Sequence, residues 1–136
     1  MSEQGFDPLF PAKLDQTYAR LRKGLSSKKR DLEWRISQLH ALKRLLQEND
    51  EAISKAMWED LHKCHFECQA TEQGVVLAEI EHTLSNLKSW LKPTHAATSV
   101  YNLPGKSKIT HEPLGLVLII GAWNFPINLT DRKSVV

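Results

Sequence analysis

The run of five large aliphatic residues from Leu116 to Ile120 limits what this chain can fold into more than any other feature. The run leaves no polar side for solvent, which is typical of strands buried on both faces in parallel sheets covered by helices. Ligands of such sheets bind beyond the carboxyl ends of the strands, and Trp123 and Asn124 fall at that position. The run therefore predicts a buried strand over about residues 115–121, followed by a turn that carries a functional side chain.

Helical periodicity dominates the chain before this run. Apolar residues recur at spacings of three and four over about residues 14–92, in segments separated by glycine, serine and capping residues. Pro93 ends the last helix because proline cannot continue the hydrogen-bond ladder. The turn signal Leu103-Pro104-Gly105-Lys106 then predicts a hairpin over about residues 99–112. Together these patterns predict an α/β fold whose sheet is incomplete.

Composition narrows the classes of partner. The 136 residues include 18 Lys and Arg against 16 Asp and Glu, a formal charge of +2 that does not favour a nucleic-acid partner. The N-terminus lacks the basic and apolar regions of a signal peptide, and the longest apolar stretch is too short to cross a bilayer. The two cysteines do not suggest a disulfide framework. We therefore expect a cytoplasmic protein with no membrane span.

His62, Cys64, His65 and Cys68 resemble a metal site in residue type only. Zinc binds thiolates and imidazoles, but the spacing differs from common zinc knuckles and no second ligand pair follows. No base or oxyanion donor can be assigned beside either cysteine, so a nucleophilic thiolate is not expected here. We interpret the four residues as incidental to a helix end and expect no metal.

Asn124 is the strongest candidate for a catalytic role. It follows the apolar run and lies two residues before Pro126, so a rigid turn would present its amide. The amide NH2 never loses its proton, and a preorganised donor of this kind stabilises an oxyanion, typically by about 100- to 1,000-fold in rate. From the residues alone a structural role stays open, in which Asn124 caps the turn and Trp123 and Phe125 belong to the core.

The segments Glu112–Gly115 and Trp123–Pro126 resemble the aldehyde dehydrogenase superfamily, in particular its class 3 branch for fatty and aromatic aldehydes. Asn128-Leu129-Thr130 and the helices before Pro93 also fit, so the resemblance covers roughly residues 14–130. It implies that residues 1–130 hold the N-terminal helices, first hairpin and buried strand of a Rossmann-like cofactor domain.

In that family a cysteine thiolate attacks the aldehyde, hydride passes to NAD or NADP, and a glutamate-activated water hydrolyses the thioester. The resemblance implies that Asn124 donates to the oxyanion and that Trp123 and Phe125 wall the junction between cofactor and substrate. It also implies an aldehyde substrate and a homodimer, with the hairpin around Tyr101 to His111 in the dimerisation sheet.

Residues 131–136 are expected to depart from the family as a tail. The nucleophilic cysteine, the general-base glutamate and the glycine loop near the nicotinamide have no counterparts, and the six glycines form no phosphate-binding motif. We therefore expect an N-terminal portion of such an enzyme, truncated or frame-shifted, inactive by itself and poorly soluble because of its unpaired strand. The alternative is a non-catalytic interaction module whose strand pairs with a full-length relative.

Overall fold

The computed structural model describes residues 10–27 and 30–135. A π-helical segment, Gln69–Gln73, joins the fourth helix to the fifth, and a 3-10 turn, Val100–Asn102, lies between the strands. No helix of the described residues is long and apolar enough to cross a membrane. The helices and strands are α1 Phe10–Ser27, α2 Leu32–Glu48, α3 Asp50–Leu61, α4 His65–Cys68, α5 Gly74–Trp90, β1 Thr94–Ala96, β2 Ser107–Ile109 and α6 Asn128–Val135.

The first five helices occupy the region in which the apolar spacing predicts helices. Asp31 begins α2 because its carboxylate oxygen accepts a hydrogen bond from the Trp34 backbone N–H at 3.0 Å. Asp50 and Glu51 lie in the first turn of α3. Acidic side chains there stabilise a helix because they interact with the positive end of its dipole. Local chemistry therefore favours the observed starts of α2 and α3.

The hydrophobic core lies between α2 and α5. Leu39 and Leu46 of α2 are buried against Val76 and Ile80 of α5. Each such side chain contributes roughly 1.5–3 kcal/mol when fully buried. Ile127 packs against the same core and so brings the turn before α6 into contact with the helices.

The chain divides into two compact units. One contains α1 and the segment Pro113–Leu118, and the other contains Arg30–Glu112 with α6 and the residues that lead into it from Ile119. The core and the predicted functional turn both belong to the second unit.

The hairpin begins earlier than the sequence predicts. β1 and β2 pair antiparallel, with Thr94 opposite Ile109 and Ala96 opposite Ser107. The hairpin therefore spans residues 94–109, which corrects the predicted range of about 99–112. The turn residues 103–106 lie in the connection between the two strands, directly before β2. β1 is a polar segment with no alternation of apolar and polar residues to indicate a strand.

Residues 115–121 form no strand in this structure, and the prediction of a buried strand over them is corrected. Leu118 is 77% exposed and Ile120 is 87% exposed. A doubly buried strand needs neighbouring strands at its edges and layers on both faces, and within the described residues the only sheet consists of β1 and β2. An apolar sequence supplies the tendency to form such a strand but not its partners.

Candidate active site

The turn that follows the apolar run presents Asn124 to solvent. The Phe125 backbone N–H donates to the Ala122 carbonyl oxygen at 3.3 Å, and α6 follows three residues later. The side chains of Trp123 and Asn124 are exposed, whereas Phe125 and Pro126 are half-buried. The turn is therefore anchored on its C-terminal side and open at the predicted catalytic residue.

Lys63 holds the backbone of Asn124. Its Nζ donates to the Asn124 carbonyl oxygen at 2.6 Å and to Oε1 of Glu72 at 2.7 Å. The same ammonium lies 4.0 Å from the centroid of the Phe125 ring, within the range of a cation–π interaction. Lys63 is only 8% exposed and Glu72 is fully buried, so this is an ion pair inside the protein.

The other carboxylate oxygen of Glu72 binds the start of α6. Oε2 accepts hydrogen bonds from the backbone N–H groups of Ile127 at 3.2 Å and Asn128 at 2.9 Å. These N–H groups have no partner within the helix, so the carboxylate satisfies them and also complements the positive end of the helix dipole. The Asn128 side chain adds a hydrogen bond from Nδ2 to the Thr71 carbonyl oxygen at 2.8 Å.

The ends of two helical segments bring Lys63 and Glu72 together. His62 adopts a left-handed conformation, with φ 54° and ψ 26°, which ends α3 and redirects the chain at Lys63. Glu72 lies in the π-helical segment that precedes α5. Such wide turns are rare and are often found at functional sites.

Gly121 lets the chain pass close to α6. A Cβ atom at this position would overlap Oγ1 of Thr130 in α6. A side chain here would therefore force the Thr130 side chain to move.

The structure places the predicted site residues in two different environments. Asn124 has an exposed amide and a clamped backbone, Trp123 is exposed, and Phe125 lies against the Lys63 ammonium. Lys63 and Glu72 are the residues that sequence reasoning missed. Glu72 had a signal, because it precedes Val76 by four residues on the buried face of the helix, where an acidic side chain is unusual.

The four residues that resemble a metal site in type, His62, Cys64, His65 and Cys68, lie in different environments. His65 Nε2 lies 3.2 Å from Oδ2 of Asp50, and this hydrogen bond is the main cause of the lowered pKa of Asp50. Cys68 is buried, and its sulfur accepts a weak hydrogen bond from Nε2 of Gln73 at 3.8 Å. Cys64 is exposed. Among the residues that the structure describes, no group of three or more His, Cys, Asp or Glu side chains could hold a metal ion.

Comparison of the sequence with protein-family models and with known proteins identifies one family. The sequence model of the aldehyde dehydrogenase family matches residues 12–136, which includes the segment 131–136 that we expected to depart from it. The chain is 42% identical over 105 residues to aldehyde dehydrogenase family 3 comG of Dictyostelium discoideum, covering 77% of this chain and 22% of the relative. It is 38% identical over 118 residues to human aldehyde dehydrogenase family 3 member B1, covering 86% of this chain and 25% of the relative.

A mouse relative, named aldehyde dehydrogenase, dimeric NADP-preferring, is 41% identical over 110 residues, or 81% of this chain and 24% of that protein. The substrate-bound state of Staphylococcus aureus AldH is similar in structure, with a TM-score of 0.81 and 32% identity over 85% of this chain and 26% of that one. The chain thus spans about a quarter of the length of its relatives. Its helices, hairpin and Asn124 turn belong to an incomplete α/β domain, and the chain is a member of the aldehyde dehydrogenase family.

Proposed function

We propose that these residues form the N-terminal part of an NAD(P)-dependent aldehyde dehydrogenase that oxidises aldehydes to carboxylic acids, with Asn124 as the oxyanion donor. The observation that carries the proposal is that Asn124 is exposed on a turn and that its backbone carbonyl oxygen accepts a hydrogen bond from the buried Lys63. Family membership supports the reaction class.

Asn124 would act on the aldehyde oxygen. Attack by a thiolate makes the carbonyl carbon tetrahedral and moves negative charge onto that oxygen, and the Nδ2–H group of Asn124 is a donor suited to bind it. The thiolate and the water-activating carboxylate are supplied by other parts of the family's chain. We propose that residues 1–136 alone therefore do not oxidise aldehydes.

Trp123 and Phe125 are suited to the cofactor side of this site. They flank Asn124 in sequence and offer flat apolar surfaces, with Trp123 79% exposed. NAD or NADP, when bound, accepts the hydride that leaves the former aldehyde carbon. The name of the mouse relative supports NADP as a cofactor.

The test joins this chain to the remaining sequence of the Dictyostelium relative, in place of the matching segment, and measures aldehyde-dependent reduction of NAD and NADP. We expect Asn124→Ala to lower kcat by about 100- to 1,000-fold, with a smaller change in KM. Gln47→Ala removes an exposed amide from α2, outside both the Asn124 turn and the hairpin, and should leave both parameters unchanged. An unchanged kcat in Asn124→Ala would exclude the oxyanion role, and turnover by the 136-residue chain alone would exclude its inactivity.

The second candidate function is an interaction module that pairs with a full-length relative. It is favoured by the exposure of Leu114, Leu118 and Ile120, which are 91%, 77% and 87% exposed. Exposed apolar residues in a segment without regular secondary structure suit addition to a partner's sheet edge. Co-sedimentation with the Dictyostelium relative, lost in Leu118→Lys but kept in Lys108→Glu, would support this function; no association would exclude it.

We also propose that the enzyme is a homodimer in the cytoplasm. The mouse relative is described as dimeric by its name, and the hairpin exposes Val100 and Tyr101 at 73% and 94%. Loss of dimer in Tyr101→Glu, measured by analytical ultracentrifugation of the joined protein, would support this surface. An Arabidopsis relative is named as chloroplastic, so imaging of the tagged protein in cells tests the location.

A further inference from the structure

We propose that Lys63 and Glu72 are positioning residues that fix the Asn124 amide for oxyanion binding. This inference rests on the proposed role of Asn124. Neither residue carries its side chain to the exposed face of the turn; both act on the backbone from the buried side.

The two side chains hold the turn at three backbone points. Lys63 binds the Asn124 carbonyl oxygen, and Glu72 binds the N–H groups of Ile127 and Asn128. Pro126 lies between these points and fixes its own φ angle. The Cα of Asn124 is therefore held in place, and only its two side-chain torsions remain to be set.

Stability alone does not explain the pair. Burying two charges costs as much as, or more than, their attraction returns, so a hydrophobic pair of similar size is often as stable. What an apolar pair cannot supply is a donor for the Asn124 carbonyl and an acceptor for two N–H groups. We infer that the two charged side chains are there to fix the position of the turn that carries Asn124.

Preorganisation of a donor has a large effect on rate. A misplacement of about 1 Å at a reacting group can cost on the order of 100-fold, and an oxyanion donor acts only at the position that the developing charge will occupy. Releasing the turn should thus lower kcat while leaving the Asn124 amide chemically intact.

The first readout needs no activity. In the 136-residue chain we expect Lys63→Met/Glu72→Met to shift the NMR signals of the Ile127 and Asn128 amides and to speed their hydrogen exchange. The double variant removes both charges and the acceptor of the two N–H groups, and it leaves no unpaired charge buried. Lys43→Met/Glu81→Met removes an ion pair between α2 and α5 at the surface and should leave these two amides unchanged. Unshifted amides in the first variant would overturn the proposal.

The second readout is a double-mutant cycle in the joined protein described above. We expect Lys63→Met/Glu72→Met to lower kcat by about 10- to 100-fold when Asn124 is present and to have little further effect in Asn124→Ala. An undiminished kcat in the double variant, or an equal loss with and without Asn124, would overturn positioning. An Asn124→Ala protein with full kcat would instead refute the oxyanion role itself, so the two failures are distinguishable.

Discussion

α5 and the apolar run at 116–120 both carry large aliphatic side chains, but α5 buries its own far more completely. Val76 and Ile80 have no exposed surface, whereas Leu118 and Ile120 are 77% and 87% exposed. A helix closes its backbone hydrogen bonds within itself and needs cover on one face only. A doubly buried strand needs partners for its backbone at both edges and layers on both faces. Hydrophobicity therefore predicts at which residues burial would lower the free energy of the chain. The neighbouring elements decide whether those residues are buried.

Amide hydrogen exchange of the monomer tests most directly whether α5 and residues 116–120 differ in protection. We expect the amides of α5 between Val76 and Leu87 to exchange at least about 100-fold more slowly than those of residues 116–120. Opening of a packed core helix requires most of the global unfolding free energy, whereas an unpaired segment exchanges with almost none. Equal protection of the two regions, in a sample shown to be monomeric by sedimentation, would mean that the apolar run is paired after all.

A matched pair of substitutions tests the same comparison by stability. Ile80→Ala should lower the free energy of unfolding by about 2–5 kcal/mol, since it opens a cavity between α2 and α5. Ile120→Ala removes the same atoms from an exposed position and should change it by less than about 0.5 kcal/mol. Urea denaturation followed by circular dichroism measures both. If the two variants lost equal stability, the exposure of the apolar run would not describe the protein in solution.

The same contrast explains what could be predicted from the sequence. The helices were predictable because their apolar spacing and caps are local, as at Asp31. The turn at Asn124 was predictable because Pro126 and the preceding apolar run mark it in sequence, and the role of Asn124 stays a prediction. Lys63 was not, because its contact with the Asn124 carbonyl joins residues 61 apart and no local pattern reports it. The predicted strand failed for the related reason that its partners are not local.

Gly74 tests whether the helical region follows local rules throughout. Gly→Ala in a helix interior usually stabilises by up to about 1 kcal/mol. At Gly74 the added Cβ would lie 2.5 Å from the Gln69 carbonyl oxygen of the π-helical segment, so we expect Gly74→Ala to destabilise by about 1–3 kcal/mol.

Gly24 in α1 is the control for this substitution, because a Cβ there meets nothing within 4 Å. Gly24→Ala should slow amide exchange within α1, and Gly74→Ala should speed it within α5. A stabilising Gly74→Ala would show that the π-helical segment converts to α-helix at no cost. It would then shift Glu72, and the Ile127 and Asn128 amide signals would move with it.

The smallest expected effects are electrostatic and have opposite signs at Asp50 in α3 and at Asp131 in α6. The hydrogen bond from His65 holds the pKa of Asp50 below its ordinary value of 3.8, and burial raises the pKa of Asp131 in α6 above 3.8. The lowered pKa of Asp50 contributes stability above pH 3.8, and this stability is lost as the pH falls through the pKa of the folded state. The raised pKa of Asp131 contributes stability at acid pH, and this stability is lost as the pH rises through the pKa of the folded state. Asp50→Asn should therefore lower the unfolding midpoint at neutral pH, and Asp131→Asn should raise it, with both differences vanishing in acid. NMR titration of the two carboxyl groups measures both pKa values. If Asp131 titrated at or below the pH at which Asp50 titrates, the burial of α6 against the helices would be contradicted.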